Sequence, residues 1–320
     1  MTTVVVGAGL AGLVAARRLA DAGQPVTVLD KGRSPGGRLA TRRLDTPRGV
    51  ARLDHGAQFF TVRDPRFGAL VDRWHAQGWV QQWCRGFGAT DGHTRFAGTG
   101  GMNTLARRLA EGLDVRCGVL VFAIRPGSDG RAWRVHLDDG SVVEADSIIV
   151  TAPLPQAFSL LVTAEVTLPE SLMRTDYDRT LALLMALDGP SAVPPPGGVQ
   201  QPCADIAFVA DNQAKGISDV PALTLHASPA WSLAHWDRDP VEVESALGVL
   251  AQPWLGDAAV VTQQVKRWRF ATPQTLWPDA CWRTDEGGGP LILAGDAFAG
   301  PRMEGAAMSG WAAAEALVNA

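Results

Sequence analysis

Apolar runs and the residues that interrupt them organise this chain. Val4-Val5-Val6 is apolar throughout and then breaks into Gly7-Ala8-Gly9-Leu10-Ala11-Gly12. A stretch of helical character follows to Ala22, then a second apolar run, Val26-Thr27-Val28-Leu29, ending on Asp30. The pattern predicts strand, glycine turn, helix, strand and acid. Asp114 to Val121 alternates like a strand, and Val142 to Val150 predicts an apolar strand leading into Thr151-Ala152-Pro153. Strands are expected over Arg179–Leu187, Asp205–Ala210, Ala222–His226 and Ala258–Lys266, and a helix over Val241–Gln252. Leu291-Ile292-Leu293-Ala294 predicts a short buried strand, followed by Gly295-Asp296 and a helix from Glu304 to Val318. Pro194 to Gly198 reads as a rigid loop, and Gly287 to Pro290 as a flexible approach to the last strand.

The first of these patterns has a physical use at each position. Gly7 permits a tight turn, Gly9 lets a pyrophosphate approach the backbone, and Gly12 lets the helix pack close to the strand. The helix N-terminus, at Leu10 and Ala11, presents free N–H groups and the positive end of its dipole to phosphates. Asp30, 18 residues after Gly12, stands near where a carboxylate accepts hydrogen bonds from adenosine ribose hydroxyls. The pattern predicts a dinucleotide site. It serves NAD and FAD alike, and an isolated copy also fits a merely structural glycine turn.

Composition narrows the classes. Hydrophobic residues are 46% of 320 and charged residues 19%, which suits a soluble globular protein with two cores. A net charge of −4 gives no footprint for a nucleic-acid partner. No stretch of ~18 apolar residues predicts a membrane span, and the N-terminus lacks the basic region of a signal peptide. Cys84, Cys117, Cys203 and Cys281 are scattered without a C-x-x-C pair. That argues against a metal site or a disulfide framework and fits a reducing cytoplasm.

Several blocks carry a resemblance. They are Asp30-Lys31, Gly36-Gly37-Arg38, Leu53-Asp54-His55-Gly56-Ala57-Gln58-Phe59-Phe60-Thr61, Thr151-Ala152-Pro153 and Gly295-Asp296. His226-Ala227-Ser228 with Trp231-Ser232, Arg267-Trp268-Arg269-Phe270-Ala271 and Arg302-Met303-Glu304-Gly305-Ala306 extend it. Together they resemble the renalase family of flavoproteins, particularly its bacterial branch, over essentially the whole chain. Asp296-Ala297-Phe298 departs from the many relatives that have a tryptophan after the aspartate.

The resemblance implies an α/β fold: an FAD-binding Rossmann-like domain of the GR2 type with a second, mixed antiparallel-sheet substrate domain. The expected ranges are 1–70 with 100–155 and 285–320 for the first, and 71–99 with 156–284 for the second. It implies non-covalent FAD on Gly7, Gly9, Leu10, Ala11, Gly12, Asp30 and Lys31. Arg38 would meet the cofactor phosphates through its planar fork, although the doublet taken alone also fits a glycine loop with a solvated arginine. Gly56, Ala57, Gln58 and Phe59 would join the cofactor site, and the Val119 backbone would contact adenine. Gly295 and Asp296 would hold the ribityl–phosphate part. The helix entered at Glu304, Gly305 and Ala306 would face the flavin ring.

The implied reaction is oxidation of the 2-dihydro and 6-dihydro isomers of NAD(P)H to NAD(P)⁺, with O₂ reduced to hydrogen peroxide. Placement rather than protein acid–base chemistry is what that reaction asks, so no firm catalytic residue is expected. The partners are a dinucleotide substrate and O₂. The sister family, the flavin amine oxidases, commonly carries an aromatic cage from a P-Y-S-type block and a lysine bonded through water to the flavin. Here the one tyrosine, Tyr177, is outside such a block, and the lysines are Lys31, Lys215 and Lys266. Oxidation of an amine or another small molecule is the alternative, and a flavin-binding protein without turnover is a third reading. His226, Trp231 and Gln58 are the expected substrate-lining residues. Phe59 and Phe60 suit packing as well, and Asn212 and Lys215 read as a solvated loop rather than a phosphate contact.

Overall fold

The computed structural model describes residues 1–88, 91–127 and 132–319. Residues 89–90, 128–131 and 320, which the expected domain ranges include, lie outside the described residues. Two compact units divide the chain. The first is Met1–Gly37, Ala106–Asp176 and Pro273–Ala320, and the second is Arg38–Leu105 and Tyr177–Thr272.

The first unit is built on a six-stranded sheet in the order 282–284, 291–293, 147–150, 3–6, 26–30, 114–117. All neighbours are parallel except Trp282–Thr284, which pairs antiparallel with Leu291–Leu293. Thr3–Val6, Ser147–Val150 and Leu291–Leu293 are buried at every residue, which is why they lack polar–apolar alternation; the two polar starts, Thr3 and Ser147, satisfy each other through their hydroxyls at 2.8 Å. The helix Leu10–Asp21 packs against the C-terminal helix Met303–Val318. The approach is close: a Cβ on Gly310 would lie 2.0 Å from the Ala11 carbonyl oxygen. Val121–Pro126, Trp133–Leu137 and Val142–Ala145 form a separate antiparallel sheet.

Two expected strands are divided. The run 114–121 breaks after Cys117, where Gly118 takes φ 74° and turns the chain from one sheet to the other. The run 142–150 breaks at Asp146, whose side chain accepts from Thr2 N at 2.7 Å and whose own N–H donates to Thr2 O at 2.9 Å. Alternation along one segment cannot reveal that its halves join different sheets.

The second unit carries a five-stranded sheet in the order 198–203, 206–211, 222–227, 177–187, 260–273. Leu181, Leu183, Met185, Leu223, Leu225 and Ala227 point to one face, against Val243, Leu247, Ala251 and Leu255 of the helix Pro240–Leu255. That helix starts where the Asp239 side chain accepts from Val241 N, with Pro240 in its first turn. Leu184, Ala186 and Ala222 point to the other face, against Ala51 and Leu53 of the hairpin Thr41–Thr46/Gly49–Asp54. This packing places the hairpin in the second unit. The first arm of the first unit therefore ends at Gly37 where the sequence suggested 70, and its last arm starts at Pro273 where it suggested 285.

Candidate active site

The glycine turn of the first unit is shaped for a phosphate. Gly7 has φ 112°, and a Cβ on it would lie 2.5 Å from Thr151 Oγ1. A Cβ on Gly12 would lie 1.9 Å from the Gly7 carbonyl oxygen, so the helix sits directly on the turn. Gly9 is different: a Cβ there would meet nothing within 4 Å. The helix behind it has no side-chain cap at Gly9 and no acid in its first turn. Helices entered at Pro65, Pro229 and Pro240 are capped by Asp64, Ser228 and Asp239. Open space before Gly9 and uncapped N–H groups at Leu10, Ala11 and Gly12 are what a pyrophosphate needs. The residues present fit a dinucleotide.

Asp30 does more than the expected ribose contact requires. Its Oδ2 accepts from Ala8 N at 2.6 Å and its Oδ1 from Gly32 N at 2.6 Å, so it staples the glycine turn to the second strand. Each oxygen keeps a further lone pair for a hydroxyl. Val119 N donates to the Asp30 carbonyl at 3.0 Å, which brings Val119 beside the same strand end. Lys31 lies on the surface, its Nζ donating to Gln156 Oε1 at 3.1 Å. Gly295 takes φ 143° and donates its N–H to Ser309 Oγ at 2.8 Å, with Asp296 buried next to it. Gly305 belongs to a tight entry to the last helix, because a Cβ there would lie 2.2 Å from Gly300 O. Ala306 N donates to Arg302 O, and Glu304 sits in the first turn, which has no side-chain cap from Arg302.

In the second unit the segment 54–59 folds back beside the sheet. A Cβ on Gly56 would lie 1.9 Å from Arg38 O, and Ala57 N donates to that same oxygen at 2.9 Å. Arg38 spends hydrogen bonds on the long strand Val260–Pro273, its Nη1 donating to Ala271 O at 3.0 Å and Phe270 O at 3.4 Å. Phe59 packs among Trp83, Phe87 and Phe208, and Phe60 stacks on Phe96.

A buried polar network underlies this segment. Lys215 Nζ lies 2.7 Å from Asp54 Oδ2, with both side chains fully buried. Thr41 Oγ1 and Met102 N donate to Asp54 Oδ1, Lys215 also lies over the Trp83 ring, and Asn212 Oδ1 accepts from Asp54 N. Lys215 and Asn212 are therefore core residues and not the solvated loop that their polar surroundings suggested. Burial pushes the Lys215 ammonium below its ordinary value, and Asp54 opposes the shift.

His226 and Gln58 meet on this face. Gln58 Nε2 donates to Asp54 O at 2.7 Å and lies 3.3 Å from His226 Nε2. An amide nitrogen only donates, so His226 Nε2 accepts and the neutral ring carries its proton on Nδ1. Burial brings the His226 pKa to about 4, with the nearby His55 carbonyl opposing and Lys215 adding to the shift. Burial, then Lys266, His226 and Arg42, bring His55 to about 3. Gln58 Oε1 and His55 Nδ1 are buried atoms without a hydrogen-bond partner.

Trp231 does not join them. His226 alternates with Leu225 and Ala227 and so points to the hairpin face, whereas Trp231 packs with the opposite cluster under the helix Pro240–Leu255. There it stacks on His235 at 3.8 Å and 9°. The strand ends at Ala227, and the turn at Ser228 carries the chain round the sheet edge, which the His-Ala-Ser-x-x-Trp spacing does not disclose. Among the described residues no group of His, Cys, Asp or Glu is placed to hold a metal ion, and no helix is long and apolar enough to cross a membrane.

Comparison with known proteins places this geometry. An NAD(P)-binding Rossmann-like domain matches residues 5–74, and the family described as flavin containing amine oxidoreductase matches residues 67–318. A protein described as a protoporphyrinogen oxidase from Exiguobacterium sp. 255-15 has a similar fold, with TM-score 0.75 and 16% identity over 99% of this chain and 98% of that one. Cyclohexylamine oxidase from Brevibacterium oxydans IH-35A gives TM-score 0.68 and 16% identity over 99% and 98%. Protein FLOWERING LOCUS D of Arabidopsis thaliana is 43% identical over 60 residues, which are 19% of this chain and 8% of that protein. The match thus spans less than a tenth of that curated relative's length.

Proposed function

The chain belongs to the flavin-containing amine oxidoreductase family, and from that premise we propose that it is a renalase-like oxidase of dihydronicotinamide dinucleotides. Its cofactor is FAD. When bound, FAD would supply a two-electron acceptor that O₂ can reoxidise, so that 2-dihydro or 6-dihydro NAD(P)H, O₂ and a proton would give NAD(P)⁺ and hydrogen peroxide. The first unit holds the dinucleotide at Gly7, Gly9, Gly12 and Asp30. Gln58 and His226 border the substrate.

The observation that carries this reading is the Gln58–His226 pair. A histidine with a pKa of about 4 is unprotonated at neutral pH and too weak a base to take a proton from an ammonium substrate. Hydride loss from an electron-rich dihydropyridine needs no such base. Gln58 Oε1, an unfilled buried acceptor, suits the N–H of a nicotinamide carboxamide. Oxidation of an amine is the second reading, favoured by the family description and by the likeness to cyclohexylamine oxidase.

Anaerobic titration separates the two. Flavin absorbance should bleach with 2-dihydro-NAD or 6-dihydro-NAD and stay unchanged with a panel of primary and secondary amines. Bleaching by an amine, with none by either dihydronicotinamide, would reverse the assignment.

A further inference from the structure

A group of cations in the second unit has no counter-ion among the described residues. In the hairpin, Thr41 pairs with Asp54 and Arg42 with Leu53, and His55 N donates to Ala40 O. Paired residues share a face, so Arg42, Leu53 and His55 lie on one side while Thr41 and Asp54 turn to the other. On the long strand Val260–Pro273, Val265 packs under the helix Pro240–Leu255 and Arg267 lies over Trp236. Lys266 and Trp268 therefore point the opposite way. Trp268 stacks on His55 at 5.2 Å and 23°, and its Nε1 donates to His55 O at 2.6 Å. This contact brings Lys266 and Arg42 to the same patch.

Each member of the patch acts on the others. Lys266 and Arg42 both hold His55 below its ordinary value, after burial, and Arg42 adds to the burial that lowers Lys266. Among the described residues neither Arg42 nor Lys266 has a carboxylate within ion-pair distance. Asp54 of the hairpin is on the other face and committed to Lys215. His55 Nδ1 is buried and without a partner. Two uncompensated cations beside a neutral imidazole repel one another, and the chain as a whole carries a net charge of −4. An anion relieves the repulsion.

We propose that Arg42, His55 and Lys266 form an anion site that takes the phosphoryl groups of the dinucleotide substrate. The arginine fork and the ammonium supply charge-assisted donors, and His55 supplies an uncharged hydrogen-bonding edge. The inference rests on the dihydronicotinamide reading and adds the part of the substrate that is held away from the reacting ring. The same phosphoryl chemistry also occurs in FAD, so the test must distinguish the two sources.

The FAD-loaded enzyme and its Arg42→Met/Lys266→Met variant are titrated with inorganic pyrophosphate by calorimetry. Flavin reduction by 2-dihydro-NAD and by the phosphate-free dihydronicotinamide riboside is compared in parallel. Pyrophosphate should bind the native enzyme about tenfold or more tightly than the variant. The preference for dinucleotide over riboside, as a ratio of kcat/KM, should fall by a similar factor. Arg42→Lys/Lys266→Arg, which keeps both charges, should restore most of that preference, whereas a merely structural defect would not be rescued. Failure of the native enzyme to bind pyrophosphate, or an unchanged preference in the variant, overturns the site while leaving the oxidase reading intact. Loss of FAD from the variant assigns the patch to the cofactor and overturns the substrate assignment. Pyrophosphate binding that the variant loses, with no bleaching by either nicotinamide compound, overturns the oxidase reading and with it the identity of the anion.

Discussion

Lys215 is fully buried, and the Asp54 carboxylate 2.7 Å away is what makes that burial tolerable. Removing one member of a buried pair leaves the other uncompensated, which costs about 3–5 kcal/mol. Lys215→Met should lower the urea midpoint accordingly, and adding Asp54→Asn should recover part of the loss. A change under about 1 kcal/mol would mean that water reaches Asp54 after all. The two histidines make a prediction about pH. Both titrate near 6.5 in the unfolded chain, but at about 3 for His55 and about 4 for His226 in the folded one. Below pH 6.5 the unfolded chain therefore binds more protons, and stability declines as pH falls towards 4, by about 1.4 kcal/mol per unit for each histidine. Urea unfolding at pH 7 and pH 5 should show the decline, with a smaller slope in His226→Asn. The same variant should slow flavin reduction less than about a hundredfold, because a general base would account for 10²–10⁴. A larger loss with FAD in place would give His226 the proton-transfer role denied to it here.

At the scale of elements, the glycines of the first helix separate packing from binding. Gly12→Ala puts a methyl group into the Gly7 carbonyl, and Gly310→Ala puts one into the Ala11 carbonyl. Both should lower thermal stability. Gly9 has ordinary backbone angles, φ −75° and ψ −179°, and nothing within 4 Å of a Cβ. Gly9→Ala should therefore unfold at nearly the native temperature yet release FAD more readily, read as a higher Kd by fluorescence. Equal affinity in this variant would place the phosphates elsewhere. The roles of Gly9 and Gly12 were expected from the glycine spacing, since the strand, turn and helix are local, whereas the close approach of Gly310 to Ala11 joins two ends of the chain and was not. The anchoring of that turn by the Asp30 carboxylate was not either, because it joins Ala8 to Gly32 across a strand.

For the molecule as a whole, FAD should be held without a covalent bond. Cys281 is partly buried, its thiol pushed up by burial, which disfavours the thiolate that a covalent link would need. Acid precipitation should leave the yellow colour in the supernatant, and colour in the pellet would show a link. The apolar runs at Val4–Val6, Val26–Leu29 and Leu291–Leu293, the glycine turn and the closing helix were legible because each depends on neighbours close in sequence. Burial on both faces forces continuous apolar residues, and a phosphate turn forces glycine. That the hairpin 41–54 joins the second unit, that Trp231 faces away from His226, and that Lys215 is a core residue were settled only in three dimensions. Asp54 and Lys215 are 161 residues apart and Gln58 and His226 are 168 apart. Their side-chain types alone suggest solvent or ligand, and only the packing that brings each a partner decides whether a charge is buried and which way a ring faces.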